Sequence, residues 1–90
     1  MSETKLKVKV LKWLKKTYPE AFVWKICEKF TAGMPDIFIL LHGKCYFIEL
    51  KIRGNELSRI QFYQMTQLNK AGAKVCVAYD LETVQKFMED

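Results

Sequence analysis

Two apolar segments flank the dipeptide His42-Gly43, and they constrain the fold more than any other feature of the sequence. Asp36–Leu41 precedes the dipeptide and Cys45–Ile52 follows it. Glycine adopts positive φ freely and histidine tolerates it better than most residues, so a two-residue loop here is typical of a β-hairpin. Both segments are apolar on both faces, which predicts two central strands that are covered on both sides.

The expected register of this hairpin places Asp36 directly opposite Glu49. Their Cβ atoms would lie about 4.5–5.5 Å apart, where like charges are destabilising. A divalent cation between the carboxylates would remove that cost, and oxygen ligands favour a hard ion such as Mg²⁺ or Mn²⁺. Lys51 faces the same way as Glu49 and would orient a water or stabilise charge on a phosphate. The alternatives are a turn role for Asp36, a surface pair of Glu49 with Lys51, or a one-residue register slip that separates the carboxylates.

The remaining sequence predicts further elements, in the overall order α-β-β-β-α-β-α. Apolar residues at three- and four-residue steps indicate a first helix that follows the N-cap Ser2 and stops before Pro19. Ser58 and Gln61 match a capping box at the start of a second helix. The expected elements besides the hairpin are a helix at 3–17, a strand at 22–27, a loop at 29–35, a helix at 58–71 ended by Gly72, a strand at 74–79 and a helix from Asp80 to about Met88.

Length and hydropathy limit the class of protein. Ninety residues, half of them apolar, suit one domain over residues 1–90. The longest apolar stretch, Ile37–Leu41, is far shorter than the roughly 20 residues of a bilayer span. The first residues lead into no apolar run with a cleavage site, so we expect a cytoplasmic protein that is not secreted.

The net charge of +5 comes entirely from the first third of the chain. Residues 1–30 hold eight lysines and three glutamates, whereas residues 31–90 hold seven basic and seven acidic residues. Such a basic region suits a phosphate backbone or an anionic membrane surface, and a solvated face that aids solubility explains it equally well. Four of the lysines form a stripe on the polar side of the first helix, which we call the lysine stripe: Lys5, Lys9, Lys12 and Lys16.

The three cysteines predict neither disulfides nor a zinc site. Cys27, Cys45 and Cys76 are odd in number and lack Cys-x-x-Cys spacing. Each lies in an apolar, strand-like segment, so we expect reduced, buried thiols.

Five short motifs occur in order along nearly the whole chain. They are Glu3 at the start of the first helix, Gly33-Met34-Pro35-Asp36 before a strand, Phe47-Ile48-Glu49-Leu50-Lys51 at a strand end, Leu57-Ser58-Arg59-Ile60-Gln61 at a helix start, and the bend Lys70-Ala71-Gly72-Ala73. Together they resemble the PD-(D/E)xK nuclease superfamily, and most closely its virus-type replication–repair nuclease (VRR-NUC) domain. The resemblance implies an α/β, restriction-endonuclease-like fold: an αβββαβ core with a mixed four-stranded sheet and a short C-terminal helix.

The resemblance also implies a role for each matching residue. Asp36 and Glu49 would bind Mg²⁺ or Mn²⁺, with the Leu50 carbonyl as a further ligand, and Lys51 would position or activate the water. Gln61 would line the site from the second helix, and Glu3 would approach it from the first. Capping by Gln61 and a contact of Glu3 with the helix dipole are the alternatives.

Other polar and aromatic residues have weaker assignments. Arg53 continues the alternation of Glu49 and Lys51, so it is a candidate for a phosphate contact, as are Arg59, Lys44 and the lysine stripe. Glu20 and Glu28 are weaker site candidates, and His42 is interpreted as a turn residue. Trp13 and Trp24 fit a core or a dimer interface better than a platform for stacking bases.

We therefore expect a Mg²⁺- or Mn²⁺-dependent endodeoxyribonuclease. Standalone members of the resembling family are small homodimers that nick branched DNA such as four-way (Holliday) junctions, and many are viral, which implies DNA repair or phage biology in a bacterial host cell. The alternatives are a nuclease for flaps or plain duplex, a non-catalytic basic nucleic-acid-binding module on the same fold, and a protein that uses its first helix to bind membrane surfaces.

Overall fold

The computed structural model describes residues 1–27 and 31–89, and its elements follow the predicted order. The weak site candidate Glu28 and the first two residues of the loop predicted at 29–35 lie outside these ranges. The observed elements are α1 (Glu3–Thr17), β1 (Phe22–Lys25), β2 (Ile37–Leu41), β3 (Lys44–Leu50), α2 (Arg59–Lys70), β4 (Lys74–Ala78) and α3 (Leu81–Glu89).

The strand bounds differ from the prediction by one or two residues. The first strand ends at Lys25 rather than Cys27, and the third ends at Leu50 rather than Ile52. Predicted helix bounds agree more closely because polar caps mark them. Ser2 accepts a hydrogen bond from the Lys5 N–H, and Asp80 accepts one from the Thr83 N–H.

The four strands form one mixed sheet in the order β1-β2-β3-β4. The β1–β2 and β2–β3 pairs are antiparallel, and the β3–β4 pair is parallel, with α2 as the crossover. This is the α/β architecture that the sequence predicted. It also makes β2 and β3 the central strands, so the carboxyl end of β3 and the start of β2 meet in the middle of the sheet.

The hairpin has the predicted turn and register. His42 and Gly43 both have positive φ, at 49° and 79°. Ile37 pairs with Ile48 and Leu41 with Lys44, so a slip by one residue is excluded. The next pair beyond the strand ends is therefore Asp36 with Glu49.

The main core lies on the sheet face covered by α1 and α3. Ile37, Ile39 and Ile48 are fully buried there, together with Val10 and Leu14 of α1. The apolar face of α1 is thus buried against the sheet. That arrangement argues against the hypothesis of a membrane-binding first helix. Within the described ranges, no helix combines the length and apolar character that a bilayer crossing needs.

The opposite sheet face is only partly covered, which corrects the expectation of strands buried on both sides. α2 packs against β4, whereas β1, β2 and the adjacent part of β3 carry a cluster of rings that we call the aromatic strip. Leu40 beside it is 41% exposed. Ring centroids in the strip lie 5.1 to 6.3 Å apart. The strip consists of Phe22, Trp24, Phe38 and Phe47. One helix is too narrow to cover a four-stranded sheet, so half of this face remains open.

Candidate active site

Asp36 lies at the N-terminal edge of β2, at the end of a loop that packs against α2. Gly33 in this loop has φ +82°, and a Cβ atom there would lie only 2.7 Å from the Ile60 carbonyl oxygen of α2. Only glycine accepts both the backbone conformation and the close approach. The loop therefore fixes Asp36 relative to the first turn of α2.

The two carboxylate oxygens of Asp36 have different partners. The main-chain N–H of Leu50 donates to Oδ2 over 2.7 Å. The ammonium of Lys7 on α1 lies 3.5 Å from Oδ1. Asp36 thus bridges the end of β3 and the first helix.

Glu49 is the charged residue found in the buried class within the described ranges, with only 3% of it exposed. It breaks the apolar alternation of β3 and faces α2. Its Oε2 atom receives a hydrogen bond from Gln61 Nε2 at 3.3 Å and lies 3.7 Å from the Lys51 ammonium. Burying a carboxylate costs free energy of folding even with these partners, so the position of Glu49 indicates a functional site.

Burial and neighbouring acids raise the pKa of Glu49 from 4.5 to about 7. Desolvation is the largest cause, and the negative charge of Asp36 is the next. The Lys51 ammonium acts in the opposite direction, and the charge of Glu3 raises the pKa further. A buried acid whose ionisation is opposed by a neighbouring carboxylate makes a site where an added cation is stabilising.

Gln61 both caps α2 and contacts Glu49. Its Oε1 atom accepts from the Ser58 N–H at 2.9 Å, and its own N–H donates to Ser58 Oγ at 3.2 Å, which completes the capping box. The other end of the same amide holds Glu49. The cap therefore orients the side chain toward the carboxylates.

Glu3 and Lys7 occupy one edge of α1 next to the carboxylates. Both side chains are half-buried, and they are four residues apart, so they lie on the same side of the helix. Glu3 is close enough to raise the pKa of Glu49. Lys7 is a site residue that the sequence interpretation missed, although its spacing from Glu3 was a usable signal.

Two solved structures have folds similar to that of this chain. One, described as "VRR_NUC domain", matches 91% of this chain over 92% of its own, with 26% identity and a TM-score of 0.74. The chain carries a VRR-NUC domain. A second, described as "VRR_NUC domain protein", matches 99% of this chain and 86% of its own, with 19% identity and a TM-score of 0.79. No family model matches the sequence, and no curated protein matches it significantly.

The match confirms the VRR-NUC resemblance and the fold class. A VRR-NUC domain is a nuclease-type domain. The motif residues Asp36, Glu49, Lys51 and Gln61 converge at one point of the VRR-NUC fold, and Glu3 lies nearby.

The basic residues that we predicted to contact nucleic acid do not share one location. The lysine stripe is exposed along α1, and Arg59 is exposed two residues before Gln61. Lys44 begins β3, so its Cα lies about 16 Å along the strand from Glu49. Arg53 is exposed in a turn after the strand, beside Tyr79 and Asp80. The strand alternation does not extend to Arg53, because β3 ends at Leu50.

Residues with weaker assignments also have defined places in the VRR-NUC domain. Glu20 lies 3.7 Å from the imidazole of the turn residue His42, at the surface. Trp13 packs against the core and Tyr18, whereas Trp24 is 58% exposed in the aromatic strip.

All three cysteines are free, as predicted, but only Cys45 and Cys76 are half-buried. Cys27 is exposed, which corrects the expectation that it would be buried.

The donor atoms at the VRR-NUC site suit a hard cation. Asp36 and Glu49 offer carboxylate oxygens next to the main chain of Leu50. Among residues 1–27 and 31–89, no group of three His, Cys, Asp or Glu side chains is arranged as a metal site. Mg²⁺ is commonly held by one or two carboxylates, with waters and substrate phosphates completing its octahedron. The two carboxylates fit that pattern.

Proposed function

We propose that this VRR-NUC domain is a Mg²⁺- or Mn²⁺-dependent DNA endonuclease. The observation that carries the proposal is the pairing of buried Glu49 with Asp36, since burial first and the charge of Asp36 second raise the pKa of Glu49 to about 7. A protein without a cation to bind has no evident use for this destabilising pair. The non-catalytic module of the alternative hypothesis would gain stability by losing it.

Asp36, Glu49 and the Leu50 carbonyl would hold the metal ion. A bound Mg²⁺ or Mn²⁺ lowers the pKa of a ligating water and neutralises charge that develops on the scissile phosphate. Lys51, half-buried and 3.7 Å from Glu49, would orient the attacking water or the phosphate. Gln61 would keep Glu49 in place, and Glu3 would add negative charge at the edge of the site.

The surface charge supports a DNA substrate. The lysine stripe lies on the exposed side of α1, the helix that also carries Glu3 and Lys7 at the site. A row of exposed lysines attracts backbone phosphates and carries no sequence information. Arg59 precedes Gln61 and would contact phosphate closer to the site.

We propose that the protein is a homodimer and that it prefers branched DNA. One chain supplies one site, whereas the paired nicks that resolve a four-way junction require two sites related by symmetry. The aromatic strip offers an interface, because Phe22 and Trp24 are at least half exposed. A standard interface needs about 800 Å² per partner, roughly an eighth of the 6085 Å² surface of the chain.

The strip also lies on the sheet face that carries the site. Phe38 is two residues from Asp36 and points to the same side of β2. A two-fold dimer through the strip would thus place two sites beside one interface. Sedimentation velocity tests this arrangement, with two 10.6 kDa chains expected per particle.

Matched variants make the dimer experiment specific. Trp24→Arg should produce monomers, whereas Phe62→Arg, which changes an equally exposed ring on α2, should leave the dimer intact. A wild-type monomer at all concentrations would refute the dimer. If Trp24→Arg remains a dimer, the interface lies outside the aromatic strip.

Cleavage of a labelled substrate panel tests the activity itself. The panel contains a four-way junction, a flap, a plain duplex and a single strand, each with Mg²⁺, Mn²⁺ or excess EDTA. We expect paired nicks in the junction that require metal and are lost in Asp36→Asn with folding intact. Undiminished activity in EDTA or in Asp36→Asn would contradict the proposal, and DNA binding without cleavage would favour the non-catalytic module.

A further inference from the structure

Lys7 places a positive charge at the candidate metal site from outside the motif residues. Its ammonium lies 3.5 Å from Asp36 Oδ1, and the two side chains are only 25% and 17% exposed. We propose that the Lys7 ammonium occupies Asp36 Oδ1 in the metal-free protein and that a divalent metal ion must displace it. The proposal rests on the metal site of the proposed function and adds a competitor to that site.

The hydrogen bonds at the site single out the oxygen concerned. Asp36 Oδ2 is already fixed by the Leu50 N–H at 2.7 Å, a short bond within the main-chain framework. Oδ1 instead faces the ammonium of the flexible Lys7 side chain, 3.5 Å away. A cation that enters between Asp36 and Glu49 can take Oδ1 without breaking the bond to the main chain. The ammonium is therefore the group that has to move.

Charge balance explains why a lysine is present there. Three carboxylates meet at this site, because the charges of Asp36 and Glu3 both act on Glu49. Lys51 lies against Glu49, and Lys7 lies against Asp36. Without a metal ion, these two lysines offset most of the negative charge. With one bound, the Lys7 ammonium becomes an excess positive charge close to a dication.

The helix holds Lys7 in place independently of this ion pair. Its neighbours Leu6 and Val10 are buried in the core, so α1 stays docked when the Lys7 side chain changes. Methionine has a similar length, no charge and good helix propensity. Lys7→Met should therefore fold normally and remove only the competing charge.

The expected effect is tighter metal binding by the variant. Unit charges about 4 Å apart interact by an amount equivalent to roughly a fivefold change in affinity even at the dielectric constant of water. Calorimetric titration with Mn²⁺ alone, in the absence of DNA, should show Lys7→Met binding about fivefold more tightly than wild type. Lys7→Arg keeps the charge and should bind close to wild type.

Lys9→Met is the matched control, because Lys9 is exposed on the same helix two residues away. It makes the same change in net charge and should leave the Mn²⁺ affinity within about twofold of wild type, since exposed charges are screened by salt. Circular dichroism and thermal melting would verify that every variant is folded.

The outcomes separate this inference from the proposed function. Wild-type Mn²⁺ binding that is unchanged or weakened in folded Lys7→Met would overturn the role of Lys7 and leave the metal site standing. Tightening of equal size in Lys9→Met would reduce the effect to net charge and would also overturn it. Wild-type protein that binds no Mn²⁺ would overturn both proposals.

Discussion

Replacing Glu49 with glutamine should stabilise the metal-free protein while removing its metal site. Glu49→Gln keeps the shape of the side chain and an oxygen that can accept the hydrogen bond from Gln61 Nε2. It removes the buried negative charge that Asp36 and desolvation oppose. Gains in stability on removing a site residue are the signature of a residue kept for function.

The magnitude follows from the pKa of Glu49, which burial and Asp36 raise from 4.5 to about 7. Because the folded state holds the proton more tightly than the unfolded state, this carboxyl destabilises the fold as the pH rises from about 4.5 through 7. At 1.36 kcal/mol per pKa unit, the ceiling at pH 8 is about 3 kcal/mol. Lys51 loses a partner in the variant, so we expect a net gain of about 2 kcal/mol.

Thermal or urea unfolding in EDTA measures this gain. At pH 8 the melting temperature of Glu49→Gln should exceed that of wild type by about 10 °C, given roughly 4–8 °C per kcal/mol for a domain of this size. At pH 4.5 the two proteins should melt close together. Glu82→Gln is the control, because Glu82 is exposed and pairs with the equally exposed Lys86 on its own helix.

Two results would refute the reasoning. If Glu49→Gln is less stable than wild type at pH 8, the carboxylate contributes to the fold through its contacts with Gln61 and Lys51. If the stability difference does not depend on pH between 4.5 and 8, the pKa of Glu49 is not raised in the folded protein. Either result would remove the main physical reason for a cation at this position.

Two further predictions concern the loop and the pH dependence of metal binding. Gly33→Ala should destabilise the fold by roughly 2 kcal/mol or more in urea unfolding, since the new Cβ meets the Ile60 carbonyl at 2.7 Å and φ is positive. Gly43→Ala, with the same sign of φ but open space around it, should cost less, and equal losses would contradict the close-approach argument. Mn²⁺ affinity should fall by up to tenfold per pH unit below pH 7, because Glu49 must release its proton to bind metal. A calorimetric affinity that is flat from pH 5.5 to 7.5 would contradict this.

The parts of the site that the sequence predicted are those that local chemistry determines. Positive φ at His42 and Gly43 defines the turn, the turn sets the register, and the register brings Asp36 to Glu49. The Ser58–Gln61 capping box likewise starts α2 where it can point the Gln61 amide at Glu49. Each step depends on residues within a few positions of one another.

The parts that were missed depend on how separate elements pack. Lys7 reaches Asp36 because of the way α1 is rotated against the sheet. The helix pattern predicts that the side carrying Leu6 and Val10 faces the sheet, but it does not predict the exact rotation. The aromatic strip is open because α2 covers half of one face, and apolar composition alone does not tell which half. Arg53 was misplaced because a strand pattern carries no information about where pairing stops.

The most direct test of the central claim is a Mn²⁺ titration by calorimetry at pH 8 on wild type and on Asp36→Asn, with Glu82→Asn as the matched control for loss of an exposed carboxylate. If Asp36 and Glu49 form a divalent-cation site, wild type and Glu82→Asn bind Mn²⁺ with equal affinity, and Asp36→Asn binds at least tenfold more weakly while remaining folded. Equal Mn²⁺ binding by wild type and Asp36→Asn, or no binding by wild type, would contradict the claim.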